Sequence, residues 1–262
     1  VYFSLAPQLK NFFDSTALFD QLMLLEGEKY RELEGRRTQR VELDGQGYFI
    51  KQHFGIGWKE IFKNLLQGRL PVLSAKNEWL ALQKLPTLGV ATMQLAGFGS
   101  RGFNPARRQS FLLTAELTNC ISLEDFCKNW RTVPPPVLLK RALIKEVARI
   151  ARVLHQNGIN HRDFYICHFL LEQSSISSGS LKLFLIDLHR AQIRNETPVR
   201  WVIKDLAGLF FSSKDIALTS RDLLRFIREY RMSSWRETLF NERNFWKKVK
   251  QRGDRTYQQH EK

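Results

Sequence analysis

The chain has 262 residues, 43% of them hydrophobic and 26% charged, a composition that fits a folded protein able to bury a core without disulfide staples. Three cysteines with no Cys-x-x-Cys pair argue against a disulfide framework or a cysteine-rich zinc site, and no run approaches ~20 uninterrupted apolar residues, which argues against a membrane span. A formal net charge of +15 favours anionic partners: nucleic acid, acidic lipid, phosphorylated glycan or an acidic protein.

Residues 1–27 carry scattered apolar positions, among them Phe12, Phe13, Leu18, Phe19, Leu22 and Met23, which predict a short helical lead-in. From residue 30 to 51 the pattern turns strand-like. Val41 and Leu43 alternate with polar residues, Asp44-Gly45 makes a turn, and Tyr48-Phe49-Ile50-Lys51 returns. Trp58, Ile61, Phe62, Leu65 and Leu66 follow helical spacing over 57–70, with Lys59, Lys63 and Arg69 off the stripe. A second helix is predicted over 74–88 with Glu78 inside it. Strands follow at 91–98 and 110–117, separated by a Gly/Arg/Pro loop. Pro134-Pro135-Pro136 precedes a long helix over 137–157, whose apolar face is Leu139, Leu143, Val147, Ile150 and Leu154, and Gly158 ends it. A Ser/Gly loop at 174–180 leads to an apolar strand over 181–186 that ends at Asp187, and the chain reads as helical beyond 200. Strands with a helix first and helices after predict an α+β fold in two lobes.

Two carboxylates stand out. Asp163 lies in a loop just past the long helix, and Asp187 ends a buried strand, where a carboxylate needs a partner and a metal ion is a good one. A short strand–loop–strand bridges them, so both can converge at one end of a sheet. Such a pair suits phosphoryl transfer: one accepts the proton of an attacking hydroxyl, the other holds Mg²⁺ against nucleotide phosphates.

His161-Arg162-Asp163, followed by His168, resembles the kinase catalytic loop HRDxxxxN with His in the Asn place. Ile186-Asp187-Leu188-His189 resembles the DFG segment, and Tyr48-Phe49-Ile50-Lys51 the strand that ends in the phosphate-binding lysine. Glu78 matches the glutamate that pairs with that lysine. More closely, the chain resembles the lipopolysaccharide core heptose(I) kinases of Gram-negative bacteria. The segments that carry this are Tyr-Arg-Glu-Leu-Glu-Gly-Arg-Arg-Thr (30–38), Gly-Ile-Gly-Trp-Lys-Glu (55–60), Asn-His-Arg-Asp-Phe-Tyr-Ile-Cys-His-Phe-Leu-Leu (160–171) and Ile-Asp-Leu-His-Arg-Ala-Gln (186–192), within a match over 28–230.

The resemblance implies a protein-kinase-like bilobal fold: the lead-in at 1–27, a small β-rich N-lobe at 28–115, and a larger C-lobe at 116–262 with a basic helical C-terminus. It implies ATP as donor, Mg²⁺, and the inner-core heptose as acceptor. Asp163 would be the catalytic base, with Arg162 bracing its loop. Asp187 would bind Mg²⁺. Lys51 would contact the α/β-phosphates, oriented by Glu78, and Glu116 and Leu117 would form the adenine-facing hinge. The same core would serve a Kdo kinase or a protein-tyrosine kinase, and a pseudokinase would keep it without catalysis.

Several positions depart from the kinase pattern. Glu34-Gly35-Arg36-Arg37-Thr38 replaces the glycine-rich loop, so Arg36 or Arg37 would bring charge to the phosphates, or else form an exposed basic turn. His168 is a poorer hard-cation ligand than an Asn oxygen; it contacts the metal indirectly or only holds the loop. Cys167 reads as a packing residue. Tyr165 stands where a phosphate-binding lysine is usual, which leaves Arg190 or Arg194 for that task. The implied substrate is a lipid-linked, phosphorylated oligosaccharide at an anionic membrane surface, consistent with a basic protein that acts in the cytoplasm or on the cytoplasmic face of the inner membrane. The Trp58–Leu66 stripe has three uses open to it: packing on its own domain, lying on a membrane, or binding an acidic helical protein such as acyl carrier protein. Nucleic acid fits less well, because zinc-finger spacing and RNA-recognition signatures are missing.

Overall fold

The computed structural model describes residues 2–33, 35–66 and 71–260. Its contacts divide into two compact units, one holding residues up to Lys84 with Met93–Leu117, the other Leu85–Thr92 with residues from Thr118 onward.

The first unit is built on the hairpin that the alternating pattern announces. β3 (Arg36–Leu43) and β4 (Gln46–His53) pair antiparallel about Asp44-Gly45, where both residues take positive φ. Four more strands complete the sheet: β1 (Tyr2–Leu5), β2 (Glu28–Leu33), β5 (Leu95–Arg101) and β6 (Gln109–Ala115), in the order β1-β5-β6-β4-β3-β2. Three helices accompany it, α1 (Leu18–Leu24), α2 (Gly57–Leu66) and α3 (Lys76–Thr87).

The N-terminal segment differs from the helical lead-in expected of it. Tyr2–Leu5 is a strand paired with β5, Pro7–Phe12 is a 3-10 turn, and only α1 is α-helical. The physical reason is burial. Leu5, Leu9, Leu18, Phe19, Leu22 and Met23 pack against Val41, Tyr48, Ile50, Phe111 and Leu113 of the sheet, at roughly 1.5–3 kcal/mol per large apolar side chain. Gln52 Nε2 donates to the Leu22 and Leu25 carbonyls and Gln39 Nε2 to Gln52 Oε1, so two buried amides close the end of α1 onto the strands.

α2 also departs from one expected use. Of its apolar stripe only Ile61 is buried, while Trp58, Phe62, Leu65 and Leu66 are exposed. Residues 67–70, including Arg69, lie outside the described residues, as does Glu34 of the loop-replacing segment. The strand expected at 91–98 starts at Leu95, because Thr92 is spent on a bridge to Leu185.

The second unit is mostly helical: α4 (Leu123–Cys127), α5 (Val137–Gln156), α6 (Ser174–Ser177), α7 (Val199–Ser212), α8 (Ser220–Arg231), α9 (Trp235–Asn241) and α10 (Arg243–His260). Among them lie β7 (Cys120–Ser122), β8 (Ile159–Asn160), β9 (Phe169–Glu172), β10 (Leu183–Leu185) and β11 (Gln192–Ile193). β9 pairs with β7 and β10, and β8 with β11. The Ser/Gly loop holds the one-turn α6, and the apolar strand shortens to β10. α5 follows its prediction for Leu143, Val147, Ile150 and Leu154, which are buried, while Leu139 is only half-buried; the chain turns at Gly158, where a Cβ would stand 1.8 Å from the Arg194 carbonyl oxygen. That close approach joins the end of α5 to the segment after Asp187, where Arg194 N donates to Gly158 O at 3.0 Å.

Candidate active site

In the first unit, Lys51 near the end of β4 reaches Glu78 on α3. Nζ lies 2.6 Å from Oε1, and the side chains are 23% and 1% exposed. The other Glu78 oxygen is buried with no hydrogen-bond partner. Trp79, the next residue, stacks on Phe98 of β5 at 4.4 Å between ring centroids, which fixes the helix beside the sheet. Arg36 opens β3, paired with Leu33 and His53. Glu116 follows β6. Its amide donates to the Gly47 carbonyl and its carboxylate binds Arg40 at 2.8 Å. Leu117 closes this unit.

The second unit assembles the catalytic loop. β8 delivers the chain to His161, Arg162 and Asp163, and a 3-10 turn over Ile166–His168 carries it away. The loop hangs on Asp205 of α7, which is fully buried. Its two oxygens accept the backbone N–H of His161 at 2.6 Å and of Arg162 at 2.8 Å. Gly208, one turn along, lets α7 approach closely: a Cβ there would meet the Tyr165 ring at 3.1 Å and the Phe164 carbonyl at 3.2 Å. His155 stands behind Asp205 at 3.5 Å and shares a 2.8 Å hydrogen bond with the Tyr230 hydroxyl.

His168 joins Asp163 and Asp187. His168 Nδ1 lies 2.7 Å from the Asp163 carbonyl, and since a carbonyl only accepts, Nδ1 carries the proton. That turns Nε2 toward Asp187, 3.5 Å away. His189 Nδ1 bonds the other Asp187 oxygen at 2.6 Å. His161 is buried, and burial pushes its pKa below the ordinary value, so it is neutral; its Nε2–H donates to the Ile186 carbonyl at 2.9 Å, next to Asp187. Asp187 and Arg162 both hold left-handed backbone, at φ 59° and 77°, a conformation that costs a non-glycine residue about 1–3 kcal/mol and that the surrounding bonds enforce.

The donor set fits a nucleotide-borne cation. Among the described residues no group of three or more His, Cys, Asp or Glu is placed to hold a metal by itself. Mg²⁺ bound with phosphates needs only one or two carboxylates, and Asp187 could provide one, with His168 Nε2 3.5 Å from it.

Cations crowd Asp163. Arg190 Nη1 binds both of its oxygens, at 2.9 and 3.1 Å. Arg194, the other arginine considered for phosphate neutralisation, instead bonds Asn160 and Gln192. Lys204, one residue before Asp205, has its ammonium pushed down to about 8, first by burial and then by Arg190 and Arg162, against the opposing pull of Asp163. Cys167 has a thiol pushed up to about 11 by burial, which suits packing and not nucleophilic attack. Sequence reading missed Asp205 and Lys204. The available signal was a lone acid in an otherwise apolar helix face, Val202, Leu206, Ala207 and Leu209, where a buried carboxylate demands partners.

A kinase-like loop, a buried aspartate that suspends it, and a lysine–glutamate pair define an α+β bilobal fold of the kinase class. Residues 20–230 match the family described as "Lipopolysaccharide kinase (Kdo/WaaP) family", and the chain belongs to that family. It is 51% identical over 241 residues to the lipopolysaccharide core heptose(I) kinase WaaP of Pseudomonas aeruginosa, covering 92% of this chain and 90% of that protein. It is 53% identical over 213 residues to a protein of the same name from Escherichia coli, covering 81% and 80%. A solved structure described as WaaP in complex with acyl carrier protein superposes with a TM-score of 0.85 at 43% identity, over 98% of this chain and 100% of that one.

Proposed function

We propose that this enzyme transfers the γ-phosphoryl group of ATP to a hydroxyl of the first heptose of the lipopolysaccharide core. The observation that carries the reading is the suspension of the Asp163 loop from Asp205, with Asp187 tied to the same loop through His168. Asp163 accepts the proton of the attacking sugar hydroxyl; its backbone is fixed through Asp205, and its carboxylate shares its oxygens with Arg190. Asp187 holds the cation. Mg²⁺, when bound, neutralises charge on the transferred phosphoryl group. Lys51, oriented by Glu78, binds the α/β-phosphates; Glu116 and Leu117 face the adenine; Arg36 adds charge near the phosphates. The unit of residues up to Lys84 with Met93–Leu117 serves as the nucleotide lobe, and the unit of Leu85–Thr92 with residues from Thr118 onward as the catalytic lobe, in place of the expected division at 115/116.

The test is phosphorylation of purified heptose-containing core by ATP and Mg²⁺, read by mass spectrometry of the glycan. The wild-type chain adds one phosphate to the glycan, and Asp163→Ala binds ATP without transferring it. Labelled protein beside an unmodified glycan would replace this reading with that of a protein kinase.

The enzyme works on the cytoplasmic face of the inner membrane, where its lipid-linked acceptor lies. Among the described residues no helix is long and apolar enough to cross a membrane. The exposed Trp58, Phe62, Leu65 and Leu66 of α2, flanked by Lys59 and Lys63, suit an anionic lipid surface. An acyl carrier protein is a further partner. The superposable WaaP structure holds one, and the basic charge suits an acidic protein. The second unit also holds a cavity of about 700 Å³ lined by Leu143, Val147, Leu206, Leu209, Phe226 and Trp246. A half-open pocket lined mainly by apolar side chains suits an aliphatic occupant.

A further inference from the structure

The positive charge beside Asp163 exceeds what the site's own carboxylates neutralise. The Arg162 guanidinium lies 4.9 Å from the centroid of the Trp201 ring, Arg200 5.3 Å, and the Lys204 ammonium 5.8 Å. Arg200 and Lys204 share one face of α7, four residues apart, and the ring between them gathers all three cations. Arg162 is 9% exposed; its Nε is buried without a hydrogen-bond partner, and among the described residues no side chain accepts from its guanidinium. The local carboxylates are already engaged. Both Asp205 oxygens accept backbone N–H groups, and both Asp163 oxygens accept from Arg190. Burial followed by Arg190 lowers the pKa of Arg162, and burial, against the pull of Asp163, brings Lys204 down to about 8.

The position says what the anion belongs to. His168 and His189 contact Asp187, while Arg190 binds Asp163 and Arg162 adjoins it. The base must touch the attacking hydroxyl, so the ground beside it belongs to the acceptor.

We propose that Arg162, Arg200 and Lys204, gathered on Trp201, form an acceptor subsite that binds a carboxylate or phosphate carried by the core glycan away from the reacting hydroxyl. This rests on the glycan-kinase reading above. A charge-assisted bond to such a group orients the sugar before transfer, and the aromatic floor carries part of a sugar face. An acceptor lacking the anion leaves the buried Arg162 guanidinium uncompensated, which turns the cluster into a filter against neutral sugars.

The test compares three acceptors, native core, core with its carboxylates reduced to alcohols, and dephosphorylated core, against wild-type enzyme and Lys204→Met, with Arg200→Gln as a second, exposed substitution. On native core each variant raises the acceptor KM about tenfold or more, with the KM for ATP unchanged. On the acceptor that lacks the bound anion, wild type shows the same rise and the substitutions add nothing further. Loss of the effect on carboxyl-reduced core assigns a carboxylate, and loss on dephosphorylated core a phosphate. An equal KM penalty on all three acceptors, or a shared fall in kcat with KM unmoved, overturns the subsite while leaving the kinase reading intact. Failure of the wild-type enzyme to phosphorylate any of the three overturns both. A variant-free check uses acetic anhydride at pH 8 with peptide mass spectrometry. Native core protects Lys204 in the wild-type enzyme, and equal protection by all three glycans, or none by any, also overturns the proposal.

Discussion

Replacing Lys51 by methionine keeps most of the side-chain volume and removes the charge. Glu78 then holds a carboxylate 1% exposed, with one oxygen already buried without a partner and the other deprived of a 2.6 Å contact. Breaking a buried ion pair on one side costs about 3–5 kcal/mol. Because the lysine is itself 23% exposed, the cost falls near the lower end, about 3 kcal/mol. Thermal or urea unfolding of Lys51→Met measures it. Lys51→Met/Glu78→Leu removes both partners and returns most of that stability, since no orphaned charge remains, yet nucleotide binding stays lost in both variants. A single substitution that changes stability by less than about 1 kcal/mol, or a double variant no more stable than the single, would refute the picture of a buried, mutually dependent pair.

Asp205→Ala strips the partner from two buried N–H groups, which costs about 2–4 kcal/mol and lowers kcat by about a hundredfold although Asp163 is intact; kinetics alongside urea unfolding measure both. His161 carries a pH signature. Its folded pKa lies below the unfolded value of 6.5, so the unfolded chain takes up the proton first, and stability is lost as pH falls below about 6.5 and is complete above it. Acid unfolding of His161→Gln shows a flatter slope in that window. Phe62→Asp places a charge on the exposed face of α2 and lowers flotation with vesicles containing anionic phospholipid several-fold, with the fold unchanged by circular dichroism. An acyl carrier protein bearing a long acyl chain raises the Tm of this protein by more than the unacylated carrier does; equal shifts would leave the apolar cavity unexplained.

Local signals announced what local physics decides. Alternation around Asp44-Gly45 located β3 and β4, and with them Lys51. The Pro-Pro-Pro run, the apolar stripe and Gly158 bounded α5, after which Asp163 could only lie in a loop. What escaped depends on residues far apart in sequence. Tyr2–Leu5 becomes a strand because it meets residues 97–100 of β5, a pairing no window of a few residues contains. Asp205 looks like an isolated acid until β8 brings two N–H groups to it. α2 has the spacing of a packed helix, and only the tertiary structure shows that most of its apolar stripe faces outward. The cations on Trp201 come from residues 162, 200 and 204, and read in order they are three ordinary basic residues.

The segment between Asp187 and α7 is short and stitched down. A 3-10 turn runs over Leu188–Arg190, Gln192 pairs with Asn160, and Thr197, its one hydroxyl side chain, is bonded to the Ile159 carbonyl at 3.4 Å. That stitching ties the stretch carrying Arg190 to the strand that leads into the catalytic loop, so displacing it would draw the guanidinium away from Asp163.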